Sequence, residues 1–154
     1  MTDSLHGDLP RLLVAGVAEA ILFCDTKGNI RLWNGGAEAM FGYRAEEALG
    51  QSLDLIIPER LRPRHWEGYW KTMATGDTRY GAQDLLAVPA LRRDGSQLSC
   101  EFSIVLLRGE DGRPLGVGAV MRDVSARRKE EKALKDRLAA LEKAAEERAG
   151  SEVA

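Results

Sequence analysis

The chain has 154 residues, 44% of them hydrophobic and 30% charged, with a formal net charge of −2. Those values suit one packed domain with an appendage, and they exclude wholesale disorder and a sensor body plus a full enzymatic output domain within these residues. The near-neutral balance exerts no global pull toward nucleic acid or an anionic membrane surface.

Residues 1–9 read as a polar, flexible N-terminus that contains His6. Asp8 is placed to cap a short helix with Pro10 in its first turn, carrying Leu12, Leu13, Val14 and Val17. Ala20-Ile21-Leu22-Phe23-Cys24 is an apolar run of strand length, and Asp25-Thr26-Lys27-Gly28-Asn29 is turn chemistry. Ile30-Arg31-Leu32-Trp33 alternates as a half-buried strand does, which completes a β-hairpin. Asn34 caps a short helix that Gly42 ends, and Glu46 to Leu49 make another turn stopped by Gly50. Leu53 to Ile57 runs up to Pro58, and Pro63 to Thr75 is a longer helix closed by Gly76. Three strands follow, Leu85 to Leu91, Leu98 to Leu107 and Leu115 to Met121, separated by Arg92-Arg93-Asp94-Gly95 and Gly109-Glu110-Asp111-Gly112.

Two strands, several short helices and three more strands make an α+β protein with an antiparallel sheet. The helices cover one face of that sheet, and the expected ligand pocket lies between the two layers. The globular body spans 10–124, and 125–154 form an amphipathic helix and tail. Between Arg122 and Arg148, 16 of 27 positions are charged. Leu134, Leu138, Leu141 and Ala145 follow a 4-3-4 spacing, with Val124 in register and Glu131 interrupting the seam. A helix so charged has only this stripe with which to bury area, so a parallel homodimeric coiled coil through Leu134, Leu138 and Leu141 is expected.

Cys24 and Cys100 have neither zinc-site nor disulfide-framework spacing and read as buried free thiols. No apolar run approaches a membrane span, and no basic region precedes an apolar one at the N-terminus, so the expected compartment is the cytoplasm. A Gly-rich phosphate loop, a His-x-x-x-His pair and a Gly-x-Ser-x-Gly elbow are all missing, which points away from an enzyme. Arg127-Arg128-Lys129 is balanced at once by Glu130-Glu131 and reads as helix surface, not a nucleic-acid site. Asp54, Glu59 and Glu67, near the long helix, read as solvated carboxylates.

The order and spacing of Ile21-Leu22-Phe23-Cys24-Asp25, Gly28-Asn29-Ile30, Asn34, Phe41-Gly42-Tyr43, Glu47, Gly50, Arg92-Arg93-Asp94-Gly95 and Met121-Arg122-Asp123-Val124-Ser125 resemble a PAS domain over about residues 10 to 125. That resemblance implies a five-stranded antiparallel sheet flanked by short helices, a role in sensing or dimerisation, and a relay at Asp123 and Val124 into the terminal helix. It also implies a signalling partner in trans, such as a kinase or regulator.

Leu61-Arg62-Pro63-Arg64-His65 and the aromatic helix after it look like the corresponding segment of the heme-PAS gas sensors of the FixL and Dos types. The resemblance implies heme b with His65 as proximal iron ligand. Lys71 and Arg79 resemble the positions that meet the propionates, and Phe102 and Ile104 fall on the strand lining the distal side. An axial imidazole must be neutral and held against an apolar slot. On a helix His65 shares a face with Tyr69 and Met73, and Gly68 removes a side chain beside it. The sequence departs from the subgroup on the distal side. The oxygen-stabilising arginine is replaced by Leu85 or Leu86 on one alignment and by Asp84 on another, and the sixth-ligand methionine by Ala82 or Asp84. An apolar distal side favours carbon monoxide or nitric oxide over strongly retained oxygen. Neither cysteine has the Asn-Cys-Arg-Phe-Leu setting of photoreactive flavin domains, but non-covalent FAD is an alternative cofactor, with Trp33, Trp66 and Trp70 as candidate partners. A cofactor-free module for dimerisation and protein–protein signalling is the other alternative.

Overall fold

The computed structural model describes residues 2–153. The chain divides into two compact units, one ending at Asp123 and the other beginning at Val124.

In the first unit, helix α1 (Thr2–Gly16) leads into a hairpin of β1 (Ala20–Asp25) and β2 (Ile30–Trp33). Helices α2 (Gly35–Phe41) and α3 (Ala45–Ala48), two 3-10 turns (Leu53–Ile56 and Glu59–Leu61) and the long α4 (Arg62–Thr75) follow. Strands β3 (Leu86–Leu91), β4 (Gln97–Arg108) and β5 (Pro114–Asp123) complete the unit. The sheet is antiparallel, in the order β2-β1-β5-β4-β3. The expected elements are all present. The N-terminus differs: residues 2–9, expected to be flexible, belong to α1, which begins at Thr2 and contains Pro10. His6 sits on this helix, exposed, and Asp8 pairs with Arg11 inside it instead of starting it. The residues from Thr2 to Gly7 hold one large apolar side chain, Leu5, and so no apolar periodicity that would announce a helix.

Register defines the two sheet faces, because residues directly opposite one another point the same way. Leu22 opposes Ala119, Ala119 opposes Ile104, and Met121 opposes both Ala20 and Phe102. This inner face packs on Ala37, Phe41, Ala48, Ile56 and Tyr69 from the helical layer, which are all buried. Trp33 meets Phe41 with ring centroids 5.4 Å apart and donates its indole N–H to the Tyr43 carbonyl at 2.9 Å. The free edge of β2 is covered by the chain after α3: Ile30 and Gly50 exchange bonds with Gln51 and Ile30, and Leu53 bonds Gly28.

Asn34, the one buried polar residue among those described, does more than cap α2. Its Oδ1 accepts from the Ala37 and Ile21 amides at 2.9 and 2.8 Å, while its Nδ2 donates to the Val14 and Glu19 carbonyls at 2.8 and 3.0 Å. One side chain thus ties α1, β1 and α2 together with its amide hydrogen bonds satisfied.

The second unit is a single helix, α5 (Ser125–Val153), on which no residue is buried. Leu134, Leu138 and Leu141 are 62%, 57% and 57% exposed on it. No helix among the described residues is long and apolar enough to cross a membrane.

Candidate functional site

The site is built on α4. Pro63 stands in its first turn, where the missing N–H costs nothing, and Gly76 closes it with φ of 72°. Arg62 anchors the helix start by donating to the Ile57 carbonyl at 3.0 Å and to the Asp54 carbonyl at 3.3 Å. At the far end, Arg108 of β4 donates to the Gly76 carbonyl. The helix is therefore held at both ends by arginines that satisfy carbonyls near its termini.

Between those anchors, three aromatic side chains stand against the hairpin and the inner face. Trp66 donates its indole N–H to Asp54 Oδ1 at 2.7 Å and lies over Gly28, where a Cβ would come within 2.3 Å of its ring. Tyr69 is buried and donates its hydroxyl to the Asp25 carbonyl, with the Cys24 carbonyl at 3.2 Å. Burial pushes that hydroxyl's pKa upward, so it remains a donor. His65 stacks on Tyr69 with centroids 5.9 Å apart and meets the edge of Trp66 at 4.6 Å.

His65 Nδ1 is buried without a hydrogen-bond partner. Burial lowers the imidazole pKa below 6.5, and the nearby Asp54 carboxylate opposes that shift only in part. A neutral imidazole with an orphaned buried nitrogen is unusual, since such atoms are normally paired. Asp54 was read from the sequence as a solvated carboxylate. It is 40% exposed and also engaged, accepting from Trp66 and lying 3.8 Å from Arg62. No sequence signal joins Asp54 to a tryptophan twelve residues later.

Tyr69 and Met73 share the His65 side of α4 as expected, Tyr69 buried and Met73 packed partly buried against the core. Phe102 and Ile104 lie half-buried on the inner face of β4. On the same face Leu86 is half-buried and Val88 is 41% exposed, so the apolar inner surface at the β3 edge is incompletely covered. Lys71 is exposed on α4, and Arg79 lies beyond the helix with its guanidinium 6.0 Å from the Tyr80 ring centroid. Leu85 is exposed just before β3, and Asp84 accepts from the Gly81 amide at 2.8 Å. The donor set fits a heme: one neutral histidine, apolar walls, and cations within the same helix and its following loop.

Neither of the two grooves described is lined by His65. One, of about 310 Å³, lies on the outer face of the sheet, lined by Phe23, Leu32, Ala82, Val105 and Val120 among others, and the other, of about 440 Å³, is bordered by Phe41, Gly42, Arg93 and Asp94. Trp66 and Tyr69 occupy part of the space between the layers, whereas on the outer face Leu32, Val105 and Val120 are each about two-fifths exposed.

Cys24 and Cys100 are buried free thiols whose pKa values burial pushes up to about 12, so neither is a ready nucleophile. At the end of β5, Asp123 accepts from Arg92 at 2.8 Å, which ties the last strand to the turn after β3. Val124 opens the second unit, its carbonyl accepting from the Arg128 amide.

The family described as PAS fold matches residues 14–129. An uncharacterised protein of Azorhizobium caulinodans is 36% identical over 122 residues, covering 79% of this chain and 16% of that protein. The sensor protein FixL of Bradyrhizobium diazoefficiens is 30% identical over 115 residues, covering 75% of this chain and 22% of FixL. The chain thus spans less than a quarter of these curated relatives. Among solved structures, a PAS domain from Colwellia psychrerythraea superposes with a TM-score of 0.67 at 21% identity, covering 79% of this chain and 98% of that one.

Proposed function

This chain belongs to the PAS family, and on that premise we propose that it is a sensory module that binds heme b through His65. The observation that carries the reading is the buried Nδ1 of the half-buried His65, which has no hydrogen-bond partner, on an imidazole whose pKa burial lowers, beside an incompletely covered apolar face. When bound, heme supplies an iron that takes up a diatomic gas or changes redox state. His65 would hold the iron, and its lowered pKa would keep the ligating neutral form populated at neutral pH. Tyr69 and Trp66 orient it, the first by anchoring α4 to β1, the second by bracing the helix on the hairpin turn. Met73, Phe102 and Ile104 supply apolar walls, and Lys71 and Arg79 are the cations for the propionates. Leu85, Leu86 and Asp84 would offer a bound gas no cationic donor, which would favour carbon monoxide or nitric oxide. The signal leaves through Asp123 and Val124 into α5, whose leucines at 134, 138 and 141 hold a homodimer, and reaches a kinase or regulator in trans in the cytoplasm.

Titration of the purified protein with hemin tests this. A Soret band at one heme per chain, abolished by His65→Ala with the far-ultraviolet circular dichroism unchanged, is the expected result. Protein that takes up no hemin, or an unchanged Soret band in the variant, overturns it.

A second reading, a cofactor-free module for assembly, is favoured by the closure of α4 onto the hairpin through Tyr69 and Trp66. Colourless protein with an intact dimer promotes it. Flavin absorbance in the purified protein points instead to FAD.

A further inference from the structure

Resting on the reading of His65 as a heme ligand, we propose that Trp66 and Trp70 form a one-electron conduit from that site to the protein surface. Through it a soluble donor of the phenol class re-reduces the loaded protein after oxidation by hydrogen peroxide. The rings make an unbroken series. The His65 imidazole meets the edge of Trp66 at 4.6 Å between centroids, with the planes at 83°. Trp66 stacks on Trp70 one turn later, at 5.2 Å and 19°, within the range of offset-stacked aromatic pairs. Trp70 ends the series 46% exposed, within reach of a solute. An electron moving along it passes only between neighbouring rings.

Trp66 is set up to hold a positive charge. Of the aromatic side chains, indole most readily loses an electron while keeping its proton, which leaves a radical cation. The Trp66 N–H is donated to Asp54 Oδ1 at 2.7 Å, so a carboxylate stands at the edge of the ring where that charge develops. Arg62 lies 3.8 Å from the same oxygen and offsets part of the effect, but its guanidinium also serves the Ile57 and Asp54 carbonyls. The indole is braced against Gly28, where an added Cβ would come within 2.3 Å of it. A fixed ring with a fixed counter-charge needs little rearrangement as the electron leaves. Its aromatic neighbours lack this setting. Tyr69 stacks on the same imidazole at 5.9 Å, but its hydroxyl faces the Cys24 and Asp25 carbonyls, and a phenol side chain gives up an electron readily only where a base takes its proton. Trp33 is buried, donates to the neutral Tyr43 carbonyl and packs on Phe41.

The electrons balance on the donor. Hydrogen peroxide takes up two electrons and two protons as its O–O bond breaks and two waters form. One electron comes from the iron and one from Trp66, whose indole keeps its proton in the bond to Asp54. Trp70 passes an electron to Trp66 and recovers one from a phenol at the surface, and a second phenol restores the iron by the same route. Each phenol loses one electron and one proton and leaves as a phenoxyl radical. One peroxide and two phenols thus give two waters and two phenoxyl radicals, and the protein returns to its starting state.

The full chain loaded with hemin, with variants compared at equal Soret absorbance, tests it. Freeze-quenched electron paramagnetic resonance after addition of hydrogen peroxide is expected to show a tryptophan radical, its splitting altered by ring-deuterated tryptophan, that falls at least tenfold in Trp66→Phe. Asp54→Asn keeps an oxygen acceptor for the indole and removes the charge, and the radical is expected to decay at least threefold faster. Trp70→Phe, at an exposed position, is expected to keep the radical and to slow its reduction by added guaiacol at least fivefold. In the chain without hemin, a photoexcited ruthenium polypyridyl complex with persulfate is expected to oxygenate Trp66 at least fivefold less in Trp70→Phe than in the parent. Peptide mass spectrometry reads this, with the buried Trp33 unmodified in both. A Soret band with a radical indifferent to Trp66→Phe or Asp54→Asn, or with guaiacol reduction and Trp66 oxygenation indifferent to Trp70→Phe, overturns the conduit and leaves the heme in place. Protein without a Soret band overturns the heme reading, and the conduit with it.

Discussion

Tyr69, in the middle of α4, reaches the carbonyl of Cys24, 45 residues earlier at the end of β1, with its hydroxyl 3.2 Å away. The Asp25 carbonyl shares the same donor. This contact sets how closely the helix bearing His65 approaches the sheet. Tyr69→Phe keeps the ring packing and removes the donor, so the Cys24 and Asp25 carbonyls lose the hydroxyl while the Asp25 carbonyl keeps the Gly28 amide. The expected cost is about 1–2 kcal/mol in urea unfolding, with the midpoint shifted and the slope unchanged. A variant as stable as the parent means the hydroxyl does not anchor the helix.

Trp66 braces the other side of the same helix, and Gly28 is the residue that lets it. Gly28→Ala puts a methyl group within 2.3 Å of the indole ring at a backbone φ of 80°. Gly50 has nearly the same φ, 84°, but nothing within 4 Å of an added Cβ. Gly50→Ala is therefore expected to cost only the left-handed strain, about 1–2 kcal/mol. Gly28→Ala adds displacement of Trp66 to that strain and costs more. Parallel urea melts with tryptophan fluorescence check it. Equal losses in the two variants refute the contact, and only Gly28→Ala is expected to perturb the native emission.

The strands and the short helices were legible because their signals are local. Alternation in Ile30 to Trp33, an asparagine before a run of small residues and glycines closing helices each act within a few positions. His65, Tyr69 and Met73 share a helix face by spacing alone. What joined that helix to the rest was not legible. Tyr69 to Cys24, Trp66 over Gly28 and Asn34 to Val14 all bridge distant segments, and no residue pattern announces them. The outer-face groove was hidden for a related reason. The run Ala20 to Cys24 is apolar on both faces, so it does not reveal which side lacks cover.

The half-buried imidazole of His65 couples stability to pH. In the unfolded chain histidine takes up its proton near pH 6.5, whereas burial holds the folded His65 below that value. Between the two values the unfolded state binds more protons, so unfolding free energy rises with pH there. Stability is fully present above about pH 6.5 and is lost as the pH falls through the folded pKa. His65→Leu removes this group's contribution. The difference in unfolding free energy between parent and variant, measured by denaturant melts from pH 8 to pH 5, is expected to shrink or reverse against the parent on acidification. A difference that does not change with pH shows that His65 titrates alike in both states.

The terminal helix carries its own test. Among the 29 residues of α5 the leucines at 134, 138 and 141 stand exposed in a field of charges, and Arg127 pairs with Glu131 one turn apart at 3.5 Å. Such i, i+4 pairs each contribute only about 0.2–0.5 kcal/mol, too little to hold a long helix of low apolar content. If the stripe is a seam between two copies, Leu138→Lys places like charges opposite one another in the middle of it. The expected result is a dissociation constant raised at least tenfold in sedimentation equilibrium, with helical signal lost at low protein concentration and regained as the concentration rises. Ala140→Lys, exposed and off the stripe, adds the same single positive charge and is expected to leave the dimer within about threefold of the parent. Equal effects from the two substitutions point to general charge repulsion and count against a leucine seam.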